Sequence, residues 1–111
     1  MNSSAFAWFL LGISVISEVA GTVALKHSDG FSRFAPAAAA GFFYVVAVWL
    51  MSISMKQLEM GITYAVWAGC GTAITALAGI AIYGESASSF KLAGLSLVII
   101  GIVLLNLGAR Q

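Results

Sequence analysis

Charge is what this sequence has least of: 111 residues carry five Lys or Arg, four Asp or Glu and one His. Soluble domains devote about 25% of their residues to Asp, Glu, Lys and Arg. Here the share is 8%. So few polar groups cannot cover the exterior of a water-soluble fold, and a solvated disordered chain is excluded with it. A single cysteine rules out an internal disulfide and a cysteine-cluster metal centre, so Cys70 reads as a small packing residue. The formal net charge of +1 leaves no basic footprint for nucleic acid. The one proline, Pro36, stands where a helix tolerates it, in the first turn of an apolar run. What is plentiful is hydrophobic residues, at 61%. The class that remains is an integral membrane protein, with no cofactor or metal implied.

A helix crosses the hydrocarbon core with ~20 mostly apolar residues. Four stretches meet that length: about 5–25, 36–55, 61–83 and 91–107. Their apolar residues run continuously instead of alternating, which argues against a β-barrel. The expected fold is therefore all-α, a single four-helix transmembrane domain over residues 1–111. Lys26–Arg33 forms a polar first loop with a turn at Asp29-Gly30, and Lys56–Glu59 a tight second one. In the third, Gly84–Ser89, serines and Glu85 offer caps to the last helix. The first span lacks a basic leader segment and is too long for a cleaved signal.

With four spans, Lys26, Arg33 and Lys91 share one side, Lys56 and Arg110 the other. Lys and Arg normally mark the cytoplasmic side. So small a bias gives almost no instruction. Either another feature fixes the topology, or both orientations insert and an antiparallel dimer becomes possible.

Glu18 stands fourteenth among the 21 residues of its span. At ~1.5 Å per residue it lies roughly 20 Å along the helix. A charge at that depth costs ~2.5–3.5 kcal/mol or more, which marks a functional candidate. The other spans hold no Lys, Arg or His within the membrane to pair with it. Ser14 one turn before, and Gly21 and Thr22 one turn after, are small, so the carboxylate stands in space and not in packing. An isolated carboxyl group there holds a proton or, when ionised, a cation. It does not readily hold both, and that exclusivity suffices for exchange.

Aromatic faces stabilise organic cations, above all quaternary ammonium groups. Tyr64 and Trp67 share one face of the third span with Gly71 and Thr75, and Tyr44 lies mid-span on the second. The competing reading is an interfacial aromatic belt. Trp8, near a span end, fits the belt; Tyr44 does not. Gly71, Thr75 and Gly79 recur every four residues, a seam that lets helices approach closely. Gly69 and Gly71 flank Cys70 as a candidate bend. Gly94 and Gly101, seven apart on the fourth span, are a candidate dimer contact, with ordinary packing within the chain as the alternative. One four-helix unit is too small to enclose a drug-sized cavity, which also points to a dimer.

Three stretches carry a resemblance to a known family: Ser17–Thr22 (Ser-Glu-Val-Ala-Gly-Thr), Leu25–Arg33 and Gly61–Gly71. Over essentially its whole length the chain resembles the small multidrug resistance transporters. The resemblance implies an antiparallel homodimer of eight helices with dual topology, multi-pass in the bacterial inner membrane. It implies a secondary transporter, not an enzyme, that exports small organic cations in exchange for protons. Glu18 falls on the family's proton- and substrate-binding glutamate, Tyr44, Tyr64 and Trp67 on its aromatic binding residues. Gly94 and Gly101 fall on its dimer contact. A heterodimer with a sibling chain is the other possible assembly. Within the family, the guanidinium branch typically has Trp where this chain has Gly21 and Lys where it has Asn106. The expected substrates are therefore hydrophobic and quaternary ammonium cations, with guanidinium or polyamine export as the alternatives. A cation channel or a small non-transporting assembly protein is the competitor from outside the family. Ser14 replaces the Ala usual in the multidrug branch, and Glu59 a common Pro. Ser14, one turn from Glu18, is placed to alter substrate preference.

Overall fold

A backbone in hydrocarbon must satisfy its hydrogen bonds internally, so long apolar stretches become helices. The computed structural model describes residues 3–109, and Arg110 lies outside them. It has four helices: α1 (Ser3–His27), α2 (Phe34–Ser54), α3 (Met60–Tyr83) and α4 (Ser89–Ala109). Each is long and apolar enough to cross a membrane.

The helices run past the apolar stretches into the flanking polar residues, for local reasons. Lys26 and His27 fill the last turn of α1, where cations favour the helix dipole. α2 begins at Phe34, so Pro36 occupies a first-turn position whose N–H would be unpaired anyway. α3 stops at Gly84, which takes the left-handed conformation (φ 66°) that side chains rarely adopt. The chain then folds back, and the Glu85 N–H donates to the Gly79 carbonyl at 3.2 Å. In the first loop, the buried Ser28 hydroxyl donates to the Leu25 carbonyl and accepts from the Phe31 N–H, closing the turn.

α1 and α2 are joined by hydroxyl-to-carbonyl bonds along their whole length. Ser14 Oγ donates to Ala47 O at 2.6 Å, Ser17 Oγ to Phe43 O at 2.8 Å, and Ser54 Oγ to Ala7 O at 2.9 Å. Thr22 Oγ1 and Tyr44 Oη are paired at 2.7 Å. Between membrane helices such bonds average ~0.6 kcal/mol each. Ala7, Leu11, Val15, Ala47 and Leu50, on the same two helices, are buried. The pair is thus the rigid half of the subunit.

α3 lies on α1, while α4 packs on α3 alone among the described elements. At that second contact Gly69 receives α4: a Cβ there would collide with the Ile102 side chain and stand 3.1 Å from Val98. None of the α4 span is buried within the subunit. It presents Leu97, Ile100 and Leu104 outward.

Candidate functional site

α1 and α3 run in the same direction, and their facing residues keep step. Trp67 Nε1 donates to Ser14 Oγ at 3.0 Å, across 53 residues of sequence. One turn further, at the same separation, Gly71 meets Glu18: a Cβ on Gly71 would overlap the carboxylate Oε2. A turn beyond that, Thr22 and Thr75 line the same cavity. A turn of α-helix per step on both strands of this ladder keeps the four-residue spacing in phase.

The site is built on this ladder. Glu18 sits half-buried on α1, and its Oε2 has no hydrogen-bond partner. The carboxylate lines a cavity of about 340 Å³ with Thr22, Gly71 and Thr75. A buried polar atom without a partner costs free energy, so an unpaired carboxylate oxygen facing a cavity is a place for a proton or a cation. Gly71 is the condition for that arrangement, because any side chain would take the carboxylate's space.

Ser14 is fully buried and uses its hydroxyl twice, donating to Ala47 O and accepting from the Trp67 indole. It thereby ties the Trp67 ring to the rigid α1–α2 pair. The Tyr64 ring is tilted 38° to that of Trp67 with centroids 5.8 Å apart, and Tyr64 is itself exposed on the subunit's outside. Tyr44 fills the place beside Gly21, whose Cβ would stand 3.1 Å from its ring. A Trp at position 21, as in the guanidinium branch, has no room next to this Tyr44 conformation. Asn106 bonds the Ile102 carbonyl of its own helix at 3.0 Å.

The structure thus brings Glu18, Thr22 and Gly71 to one cavity, pairs Trp67 with Ser14 one turn away, and sets Tyr44 against Gly21 and Thr22 at the α1–α2 contact. Gly69, two residues from Gly71, points to a different side of α3 and packs on α4. α3 is an unbroken helix through Gly69 and Gly71. Gly94 and Gly101 are remote, and a Cβ at either would meet nothing within 4 Å. Packing inside the subunit therefore gives no reason for glycine at those two positions. Trp8 and Trp49 are exposed on the outside. Among the described residues, no three His, Cys, Asp or Glu side chains come together as a metal-ligand set.

The sequence reading passed over the Ser14–Trp67 bond and the charged end of the same groove, where Lys26 and Glu85 meet at 3.8 Å. The four-residue recurrence Ser14, Glu18, Thr22, Lys26 was the available signal. Its meaning depended on the pairing with α3.

The resemblance implies that Trp67 is an aromatic residue of a cation site; a ring over a cation contributes ~0.5–2 kcal/mol, so on that expectation Trp67→Ala should weaken tetraphenylphosphonium binding about 2- to 30-fold. Ser14→Ala should produce a smaller loss in the same direction, by releasing the ring. Trp8→Ala should change affinity little. Equilibrium dialysis in detergent checks all three; equal losses for Trp8→Ala and Trp67→Ala would mean general destabilisation.

A family model described as Small Multidrug Resistance protein matches residues 6–98. The chain is 40% identical to a guanidinium exporter of Escherichia coli (strain K12), over 94% of this chain and 99% of that protein. It is 40% identical to a guanidinium exporter of Yersinia pseudotuberculosis, over 93% and 99% respectively. It is 35% identical to the quaternary ammonium compound-resistance protein QacE of Escherichia coli, over 90% and 91%. The relatives thus include both guanidinium exporters and a quaternary ammonium resistance protein.

Proposed function

We propose that this chain, which belongs to the small multidrug resistance family of membrane transporters, exchanges small organic cations for protons at Glu18 within an antiparallel homodimer. The observation that carries this reading is the Glu18 carboxylate: cradled by Gly71, lining a cavity, with one oxygen unpartnered. Lys91 is the one cationic residue among those lining the Glu18 cavity, and its Nζ donates to the Ser86 carbonyl.

Ionised Glu18 attracts a cation, and Trp67, Tyr64 and Tyr44 supply the aromatic faces for it in the assembled dimer. A proton arriving at the same carboxylate removes the charge and releases the cation. Because one group serves both, neither ligand crosses without the other leaving. In a dimer the two Glu18 groups face one chamber, and their titrations are then coupled. Alternating access follows if the rigid α1–α2 pair moves against α3, with flexing at Gly69 and Gly71. The open faces of Gly94 and Gly101 support α4 as the seat of the second copy; a sibling chain would use the same face.

Two substrate readings stand. Gly21, filled by Tyr44, favours hydrophobic and quaternary ammonium cations, as does the similarity to QacE. The guanidinium exporters at 40% identity favour guanidinium. Polyamines are the third class to assay. The test is a flux panel in proteoliposomes with an imposed pH gradient, covering a quaternary ammonium dye, guanidinium and a polyamine. Uphill accumulation with proton counterflow is expected. Flux only down the substrate gradient would indicate a channel, and no flux of any kind a non-transporting membrane protein.

The dimer has its own test. Gly94→Leu and Gly101→Leu add bulk where the chain itself offers no obstacle, so each subunit should fold normally. Cross-linking in the membrane should nonetheless drop about 10-fold or more, since close helix approach needs small residues. Unchanged cross-linking would move the contact off this face.

A further inference from the structure

The groove that holds Glu18 continues toward the loop end of the subunit. The Glu18 cavity is also lined by Glu85 and Lys91. An adjoining cavity of about 190 Å³ shares Thr22, Thr75 and Glu85 with it and adds Lys26, Gly79 and Tyr83. The two cavities thus form one path, with the threonine hydroxyls at the midpoint.

The far end repeats the chemistry of the near end. Gly71 and Gly79 lie on one face of α3, roughly 12 Å apart along the axis. Each cradles a carboxylate: a Cβ on Gly71 would strike Glu18, and one on Gly79 would strike Glu85. Glu85 is held there by its own backbone, through the bond to the Gly79 carbonyl. Beside it stands an aromatic ring, Tyr83. Two buried side-chain polar atoms among the described residues lack a hydrogen-bond partner, Glu18 Oε2 and Tyr83 Oη. One belongs to each end of the path.

A cation already occupies the far end, and it is tethered. Lys26 Nζ lies 3.8 Å from Glu85 Oε2 and 5.3 Å from the centroid of the Tyr83 ring. Carboxylate plus ring is the same pair of groups that Glu18 and Trp67 offer. The ion pair is long, and both side chains are substantially exposed, so it is weak and easily exchanged. The other charged groups nearby are accounted for: Lys91 Nζ donates to Ser86 O at 2.7 Å, and His27 packs its ring 5.5 Å from Tyr83.

We propose that Glu85, with the Tyr83 ring and the Thr22 and Thr75 hydroxyls, is a second cation-binding station, where a small hydrogen-bonding cation of the guanidinium class displaces Lys26 on its way to or from Glu18. The station rests on the transport reading above for its role, though not for its existence as a binding site. Its size sets the ligand class. Pockets for drug-sized ligands begin at ~300 Å³, and this cavity is smaller. Its acceptors are a carboxylate and hydroxyls, which reward N–H donors; a quaternary ammonium ion has none. In an antiparallel dimer one such station would face each side of the membrane.

The test is radiolabelled guanidinium binding to the full-length chain in detergent at low ionic strength. The Glu18→Gln chain is used, so that only the second station is read. Lys26→Gln in that background removes the tethered competitor and should tighten binding about 10-fold. Adding Glu85→Gln should abolish the gain and the residual binding, while Glu85→Asp should keep most of it. In the chain with Glu18 intact, Glu85→Gln should leave helical content and thermal stability in detergent unchanged, since the Glu85 side chain caps no helix and its one ion pair is weak. Guanidinium binding that ignores Glu85→Gln would overturn the proposal. So would a parallel loss of helical content or thermal stability, which would make Glu85 a structural residue. The two readings fail separately. A wild-type chain that shows no gradient-driven flux sinks the exchange mechanism, whereas this assay needs no gradient and no Glu18 carboxylate.

Discussion

Glu18→Gln is expected to reduce gradient-driven uptake of every substrate to the level of empty vesicles, with fold and dimer preserved. The amide keeps the volume and shape of the carboxyl group, so the cradle formed by Gly71 remains filled. It removes the one group on this path, inside the membrane, that can alternate between charged and neutral. The expected loss is therefore one of kind, not of degree. An amide cannot release a proton when a cation arrives, nor attract the cation by charge. Cross-linking yield and helical content should match the unmodified chain. Uphill accumulation by the reconstituted variant would refute the role of Glu18 outright. Glu18→Asp is a graded version. It keeps an ionisable group but withdraws it by one methylene, so coupled flux should persist with a shifted pH dependence.

Much of this arrangement was legible in the residues themselves. Composition and the four long apolar runs pointed to a membrane bundle, because hydrocarbon leaves the backbone few other choices. The depth of Glu18 could be counted along its span. What could not be counted was the registration of one helix on another. Ser14 was visible as a small polar residue one turn from Glu18, yet its bond to Trp67 spans 53 residues and depends on α1 and α3 lying in phase. The partition of the glycines was hidden for the same reason. Gly69 and Gly71 read alike in sequence, as two small residues around Cys70. In the fold they face different neighbours, Ile102 on one side and the Glu18 carboxylate on the other, because residues two apart point to different sides of a helix. Glu85 read as a helix cap. The left-handed turn at Gly84 instead carries it back against Gly79, within reach of Lys26.

Gly71→Ala is the substitution that tests this geometry most sharply. A single methyl group on Gly71 would occupy the position of Glu18 Oε2. The carboxylate must then rotate away or α3 must move off α1. Forcing an extra methyl into a packed site costs ~1–3 kcal/mol. If that cost falls on the bound state, cation affinity drops about 5- to 150-fold. Gly12→Ala, also within a spanning helix, provides the control, since its Cβ would meet nothing within 4 Å. It should bind tetraphenylphosphonium like the unmodified chain. The decisive variant combines Gly71→Ala with Glu18→Asp. Shortening the acid by one methylene vacates the volume that the new methyl needs, so the double variant should bind better than Gly71→Ala alone. Rescue of that sign requires contact between positions 18 and 71, whereas simple destabilisation of α3 predicts additive losses. Binding by Gly71→Ala at unmodified strength would show that the carboxylate does not rest in this cradle when the cation is bound.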